Sequence, residues 1–219
     1  MPVFLDLDNT LVDRDDAFAS WVGGAVRTWG GDESDARWLI DADRSGYTPR
    51  RELARMIQER LTPPLSTDAI VDQLLYEHVA LIACYPGVVD ELERLTRAGV
   101  ALVVVTNGES TQQRMKLRLT GLDRLVMDSV ISGELGANKP DRPMFDAARA
   151  AVPDDGFAWM VGDHVTADIA GARAAGCSTA WVSHGRPWPE TWTPDLMASQ
   201  PGDVLSRVRD RLLRRSVTR

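Results

Sequence analysis

The stretch Val3-Phe4-Leu5-Asp6-Leu7-Asp8-Asn9-Thr10-Leu11 decides how the rest of the chain reads. Three apolar residues run into two carboxylates separated by one leucine, and alternation along an extended chain turns both acids to the same side. Like charges that close are costly, because each carboxylate raises the pKa of the other. A protein gains from such a pair mainly where a hard cation or a proton-transfer task uses it. Taken alone, the stretch is equally a plain N-terminal strand ending in a polar turn, so the residues beyond Leu11 carry the decision.

Immediately after Val12 the pattern changes, at Asp13-Arg14-Asp15-Asp16. Helical spacing then runs over 15–29, 34–43, 49–60 and 66–82, broken at Gly30-Gly31, at Ser45-Gly46-Tyr47-Thr48-Pro49 and at Thr62-Pro63-Pro64. This predicts an all-helical insertion over 14–85. Arg44, Tyr47 and Arg50 lie at one of its breaks, where the tail of a ligand could be read, although an exposed charged loop has the same composition.

Past Cys84-Tyr85-Pro86-Gly87 helix and strand signals alternate. Val88, Leu92 and Leu95 share a helix face that Gly99 closes, and Val100 to Val105 is an unbroken apolar run suited to a parallel strand buried on both faces. Further strands are expected near 126–132, 157–161, 178–182 and 196–198, with helices over 110–119, 141–151, 166–175 and 201–214 between and after them. The expected fold is α/β: a doubly wound, parallel-sheet, Rossmann-like core formed by residues 1–13 and 86–219, interrupted by the helical insertion.

Composition narrows the function classes. Of 219 residues 44% are hydrophobic and 26% charged, which suits a globular chain and not a disordered one. A net charge of −7 argues against general nucleic-acid binding, which depends on cationic side chains, but leaves room for an anionic small molecule at a locally positive site. The two cysteines, Cys84 and Cys177, lack metal or redox spacing. No signal-peptide pattern and no uncharged stretch of membrane-spanning length are read, so a cytoplasmic protein without a membrane partner is expected. Oligomeric state is left open.

Candidate functional groups fall at the ends of the predicted strands: Asp6 and Asp8 after the first, Thr106-Asn107-Gly108 after the second, Lys139-Pro140 after the third and Gly162-Asp163-His164 after the fourth. Ligands of parallel α/β sheets bind beyond the carboxyl ends of the strands, near the point where strand order reverses. A lysine or a Thr-Asn-Gly triplet in isolation is usually solvent-facing or a turn. Only their conjunction points to a site.

This ordered set, Asp6-Leu7-Asp8-Asn9-Thr10, Val105-Thr106-Asn107-Gly108, Lys139-Pro140 and Gly162-Asp163-His164-Val165-Thr166-Ala167-Asp168, resembles the haloacid dehalogenase superfamily and specifically its phosphatase branch. The resemblance implies that 14–85 is a cap domain and that the cofactor is Mg²⁺. It makes Asp6 a nucleophile that forms an aspartyl-phosphate, and Asp8 the acid and base that serves the leaving group and then water. Asp6, Asp163 and the main-chain carbonyl of Asp8 become the metal ligands, with Asp168 orienting them. Thr106 and Asn107 would hold phosphoryl oxygens, and Lys139 would stabilise the nucleophile and the transition state. His164 stands where the family usually has a small polar residue. The substrate class implied is a small phosphorylated metabolite. A phosphosugar mutase of the same superfamily, and a non-catalytic phosphate sensor retaining the fold, are the rival readings.

Overall fold

The computed structural model describes residues 1–153 and 157–216, apart from the side chains of 215 and 216. The chain divides into two compact units, one formed by Met1–Val12 with Cys84–Arg219 and the other by Asp13–Ala83. These limits differ by one or two residues from the expected 13/14 and 85/86. Asp13 caps the first helix through its side chain, accepting from Asp16 N at 3.0 Å, so it goes with the helices. Cys84 bridges to Val12, and Tyr85 N donates to the Leu11 carbonyl at 3.0 Å, so they go with the sheet.

The first unit is built on six parallel strands: β1 (Val3–Leu5), β2 (Leu102–Thr106), β3 (Asp128–Ile131), β4 (Trp159–Gly162), β5 (Ser178–Val182) and β6 (Leu196–Ala198). Their order is β3-β2-β1-β4-β5-β6, with Val3 opposite both Leu102 and Trp159. Strand order reverses between β1 and β4, which makes that crevice the expected ligand position. Every residue of β1, β2 and β4 is buried, as continuous apolar runs require.

One face of the sheet packs Phe4, Val103, Val105 and Met160 against Met144, Phe145 and Ala148 of α8 (Arg142–Ala150) and Ala172 of α9 (Gly171–Ala174). On the other, the alternate residues Val3, Leu5, Val104 and Val161 are fully buried. There α5 (Val88–Arg97) packs on β2, and α10 (Pro201–Ser216) packs on β5, β6 and α5. Each such large apolar side chain contributes about 1.5–3 kcal/mol on burial.

Several predicted elements shift. The strand expected over 157–161 starts at Trp159, leaving Phe157 69% exposed. The one expected over 126–132 contracts to β3, because the chain turns at once into the short helix α7 (Ser132–Leu135). The helix expected over 166–175 divides into a π-helical turn over Val165–Ala170 and then α9.

The second unit holds α1 (Arg14–Thr28), α2 (Glu33–Asp43), α3 (Arg50–Leu61) and α4 (Thr67–Tyr76). The helix expected over 66–82 ends at Tyr76 and tightens into a 3-10 turn over Glu77–Leu81. Phe18, Trp21, Trp29, Leu39, Ile57 and Ile70 form its core. Arg50 reaches the fully buried Asp43, which also pairs with Arg14 and accepts from Gly46 N at 2.8 Å. Burial opposes ionisation of Asp43, yet the two guanidiniums outweigh it and hold the carboxyl below its usual range. Arg50 is therefore part of the frame of this unit, whereas Tyr47 stands 54% exposed. Among the described residues no helix is long and apolar enough to cross a membrane.

Candidate active site

β1 hands Asp6 to the crevice in register with β4, since Asp6 N donates to the Val161 carbonyl at 2.9 Å. Lys139, from the loop before α8, places Nζ 2.6 Å from Asp6 Oδ1 and 2.6 Å from Asp168 Oδ1. All three are buried. Burial costs the ionised form of Asp6 most, the charge of Asp168 adds to it, and Lys139 offsets only part. The carboxyl is raised to about 7. For Lys139 burial works against the ammonium, but Asp168 and Asp6 more than compensate, leaving it above the ordinary lysine range. Asp163 is pushed well above the carboxylate range by burial and by Asp168 and Asp6, with Arg186 opposing.

These directions describe a cluster short of positive charge. Asp6, Asp163 and Asp168 each offer an oxygen within 4.8 Å of the others. A compact, largely buried, all-oxygen carboxylate set fits a hard divalent cation such as Mg²⁺ and would be a poor site for a soft one. Both oxygens of Asp168 are also engaged by protein donors, Oδ1 by Lys139 and Oδ2 by the His164 main-chain N–H at 2.9 Å. His164 turns its ring inward as a cap: Nδ1 accepts from Thr166 N at 3.2 Å and Ala167 N at 3.0 Å, fixing the π-helical turn that carries Asp168. Burial pushes its pKa down, consistent with an imidazole used as an acceptor.

Gly162 has no side chain for a definite reason. A Cβ there would lie 2.4 Å from the Cβ, Cγ and Oδ2 of Asp168. Gly162→Ala is expected to lower stability by about 1–3 kcal/mol through overpacking and to displace Asp168 from Lys139. Thermal melting beside a phosphate-release assay checks this, and unchanged values in both would contradict it.

The other expected residues separate. Asp8 does not join the carboxylate trio through its side chain. Its oxygens accept from Lys116 Nζ, at 2.7 Å each, and from Gln113 Nε2 at 3.0 Å. Thr106 ends β2, and its Oγ1 accepts from Gln113 Nε2 at 2.7 Å. The Asn107 side chain, expected to face phosphate, forms a two-point clamp on the main chain of Lys139, accepting from its N–H at 2.7 Å and donating to its carbonyl at 3.0 Å. Its amide thus fixes the lysine loop, and one Nδ2 hydrogen remains for another acceptor.

Three residues near the motifs were not foreseen. Lys116 and Gln113 lie on α6 (Ser110–Thr120), whose buried face is Gln112, Gln113, Lys116 and Leu117. A helix whose inward face is polar, directly after Thr106-Asn107-Gly108, is itself a signal of a polar site beneath it. Arg186, in the loop after β5, donates to Asp163 Oδ2 at 3.1 Å and to its carbonyl at 2.8 Å.

A family model described as haloacid dehalogenase-like hydrolase matches residues 3–176. The phosphoserine phosphatase of Thermus thermophilus is 40% identical over 124 residues, 55% of this chain and 49% of that protein, so the match spans about half of that relative's length. Phosphoglycolate phosphatase 1 of Pseudomonas aeruginosa is 30% identical over 217 residues, covering 93% of this chain and 78% of that one. The crystal structure of a HAD phosphatase from Thermococcus onnurineus shares the fold, with a TM-score of 0.69 over 97% of this chain and 98% of that chain at 22% identity. A family match from the first strand to beyond α9, together with that shared fold, means that this chain belongs to the haloacid dehalogenase-like hydrolases.

Proposed function

We propose that this protein is a Mg²⁺-dependent phosphatase that hydrolyses a small phosphorylated metabolite through an aspartyl-phosphate on Asp6. The observation that carries the reading is the division of labour within the opening pair of acids. Asp6 is buried against Lys139 inside the carboxylate trio, while Asp8, two residues on, is turned to a different ammonium, that of Lys116. Displacing a halide needs no second acid, because halide leaves without a proton. Breaking an alkyl phosphate does need one, to protonate the alkoxide.

In this account Asp6 attacks phosphorus through one carboxylate oxygen, and the P–O bond to the leaving group breaks. Asp8 gives its proton to the departing oxygen, then takes one from the water that cleaves the acyl phosphate. Lys139 and the Thr106 hydroxyl offset charge on the phosphoryl oxygens in the transition state, as fixed donors do best when little reorganisation is needed. Asp6, Asp163 and the main-chain carbonyl of Asp8 would hold the cation, with Asp168 orienting them. When bound, it neutralises phosphoryl oxygens and the carboxylates beside them. Phosphatase names among the relatives support this class, and phosphoserine and phosphoglycolate join sugar phosphates, nucleotides and flavin mononucleotide as the compounds to assay.

Phosphate release is expected from at least one of these esters, and to stop when EDTA removes the cation. Equal release in EDTA, or none across the series, would overturn the proposal. The raised carboxyls add a pH signature. Because protons compete for Asp6 and Asp163, cation affinity should climb as pH rises from 6 toward 8, with proton release on binding that fades above the Asp6 pKa of about 7. Calorimetric Mg²⁺ titrations in buffers of different ionisation enthalpy measure both quantities. An affinity independent of pH in this window would count against Asp6 and Asp163 as the metal ligands.

A further inference from the structure

We infer that Lys116 and Gln113 are positioning residues that hold the Asp8 carboxylate in one orientation and aim the Thr106 hydroxyl. What Asp8 and Thr106 do rests on the phosphatase reading above, whereas what holds them rests on geometry alone. The two residues are three apart on α6 and so present side chains to the same side. Lys116 Nζ lies 2.7 Å from each Asp8 oxygen, and its side chain is 2% exposed against 25% for that of Asp8. An ammonium so far from water is tolerable only when paired, and a carboxylate gripped at both oxygens has little freedom to rotate.

Gln113 ties this grip to the phosphate-binding loop. Its Nε2 lies 3.0 Å from Asp8 Oδ2, 2.7 Å from Thr106 Oγ1 and 3.2 Å from the Asn107 carbonyl. Asp8 and Asn107 present acceptors there, so the amide nitrogen, and not its oxygen, must face the group. Thr106 Oγ1 is thereby used as an acceptor, and its own hydrogen lies toward the Asn107 carbonyl at 3.4 Å, a contact long enough to be exchanged for a phosphoryl oxygen. Gly108 makes room for the arrangement. It sits at φ 151°, and a Cβ there would meet Gln113 Cγ and Cδ at 2.9 Å.

A merely structural role, pinning α6 to the turn after β1, would involve the same contacts, so the test must read something else. Lys116→Met, Lys116→Arg, Asp8→Asn and the Asp8→Asn/Lys116→Met double variant are compared by melting temperature and by kcat/KM on an alkyl phosphate and on p-nitrophenyl phosphate. The aryl ester's leaving group departs without a proton. Misplacing an acid therefore costs the alkyl ester about 100-fold and the aryl ester less than about 5-fold, with Lys116→Arg recovering about 10-fold. Lys116→Met should also lower the melting temperature, and Asp8→Asn should restore most of that loss, because the carboxylate left without its ammonium is then neutral. Equal losses on both esters would overturn the positioning role. Additive melting shifts would overturn the pairing itself. A wild-type chain that turns over no ester removes the phosphatase reading and the positioning role with it, and the melting cycle still decides whether Lys116 holds Asp8.

Discussion

Asp6→Asn is expected to abolish phosphate release, by at least about 10⁴-fold in kcat, while leaving the cation-free fold intact. Loss of a covalent nucleophile removes the chemical step itself, and effects on that scale are typical. The amide is nearly isosteric with the acid but cannot form the acyl phosphate. The fold should survive because the ionised form of Asp6 is opposed by burial and by Asp168, so a neutral side chain relieves a repulsion even as Lys139 loses one of two partners. A melting temperature within a few degrees of wild type, measured without Mg²⁺, beside an absent phosphate signal is the predicted pair of results. Substantial residual turnover would show that another group attacks phosphorus.

Lys139→Met should fail in both respects. The ammonium stands 2.6 Å from an oxygen of Asp6 and 2.6 Å from one of Asp168, and Asp168 is only 1% exposed. Removing it leaves Asp6 and Asp168 without their shared cation, and breaking a buried pair from one side typically costs about 3–5 kcal/mol. Turnover should fall about 10²–10³-fold as a transition-state donor is lost. The destabilisation carries a pH sign. Without Lys139 the Asp6 carboxyl must rise still further above its unfolded value of 3.8, so the folded state holds its proton more tightly than the unfolded one. Stability is then greatest at acid pH and is lost as pH rises through the window between those two pKa values, which extends to higher pH than in wild type. Denaturant melts at pH 5 and pH 8 read this directly. Equal losses at both would mean that the lysine is held for packing and not for charge.

The parts of this site that were legible beforehand are those fixed by strand periodicity. Val3-Phe4-Leu5 and the apolar run Val100 to Val105 read as buried parallel strands, the second of which forms over Leu102–Thr106, and the polar residues that end them emerge at one edge of the sheet. Lys139 was legible only through its place in the ordered motifs, since nothing local marks it as buried. Lys116 and Gln113 escaped because a helix is read from apolar spacing, and α6 turns two amides and an ammonium inward where leucines would be expected. The Asn107 clamp escaped for another reason. A side-chain amide can serve a ligand or a neighbouring main chain equally well, and only the approach of the Lys139 loop decides. The expected helix over 166–175 is split where Ile169 N reaches back five residues to the His164 carbonyl at 3.3 Å, a wider turn that apolar spacing does not reveal.

Transfer of the phosphoryl group to Asp6 leaves a covalent trace on that residue. The most direct measurement is to quench the protein in acid during turnover, reduce with borohydride, and locate the modified residue by peptide mass spectrometry. An aspartyl-phosphate on Asp6 is reduced to homoserine, so homoserine is expected at position 6, dependent on Mg²⁺ and absent from Asp6→Asn. Turnover with no conversion at position 6, or with conversion at another carboxylate, would contradict it.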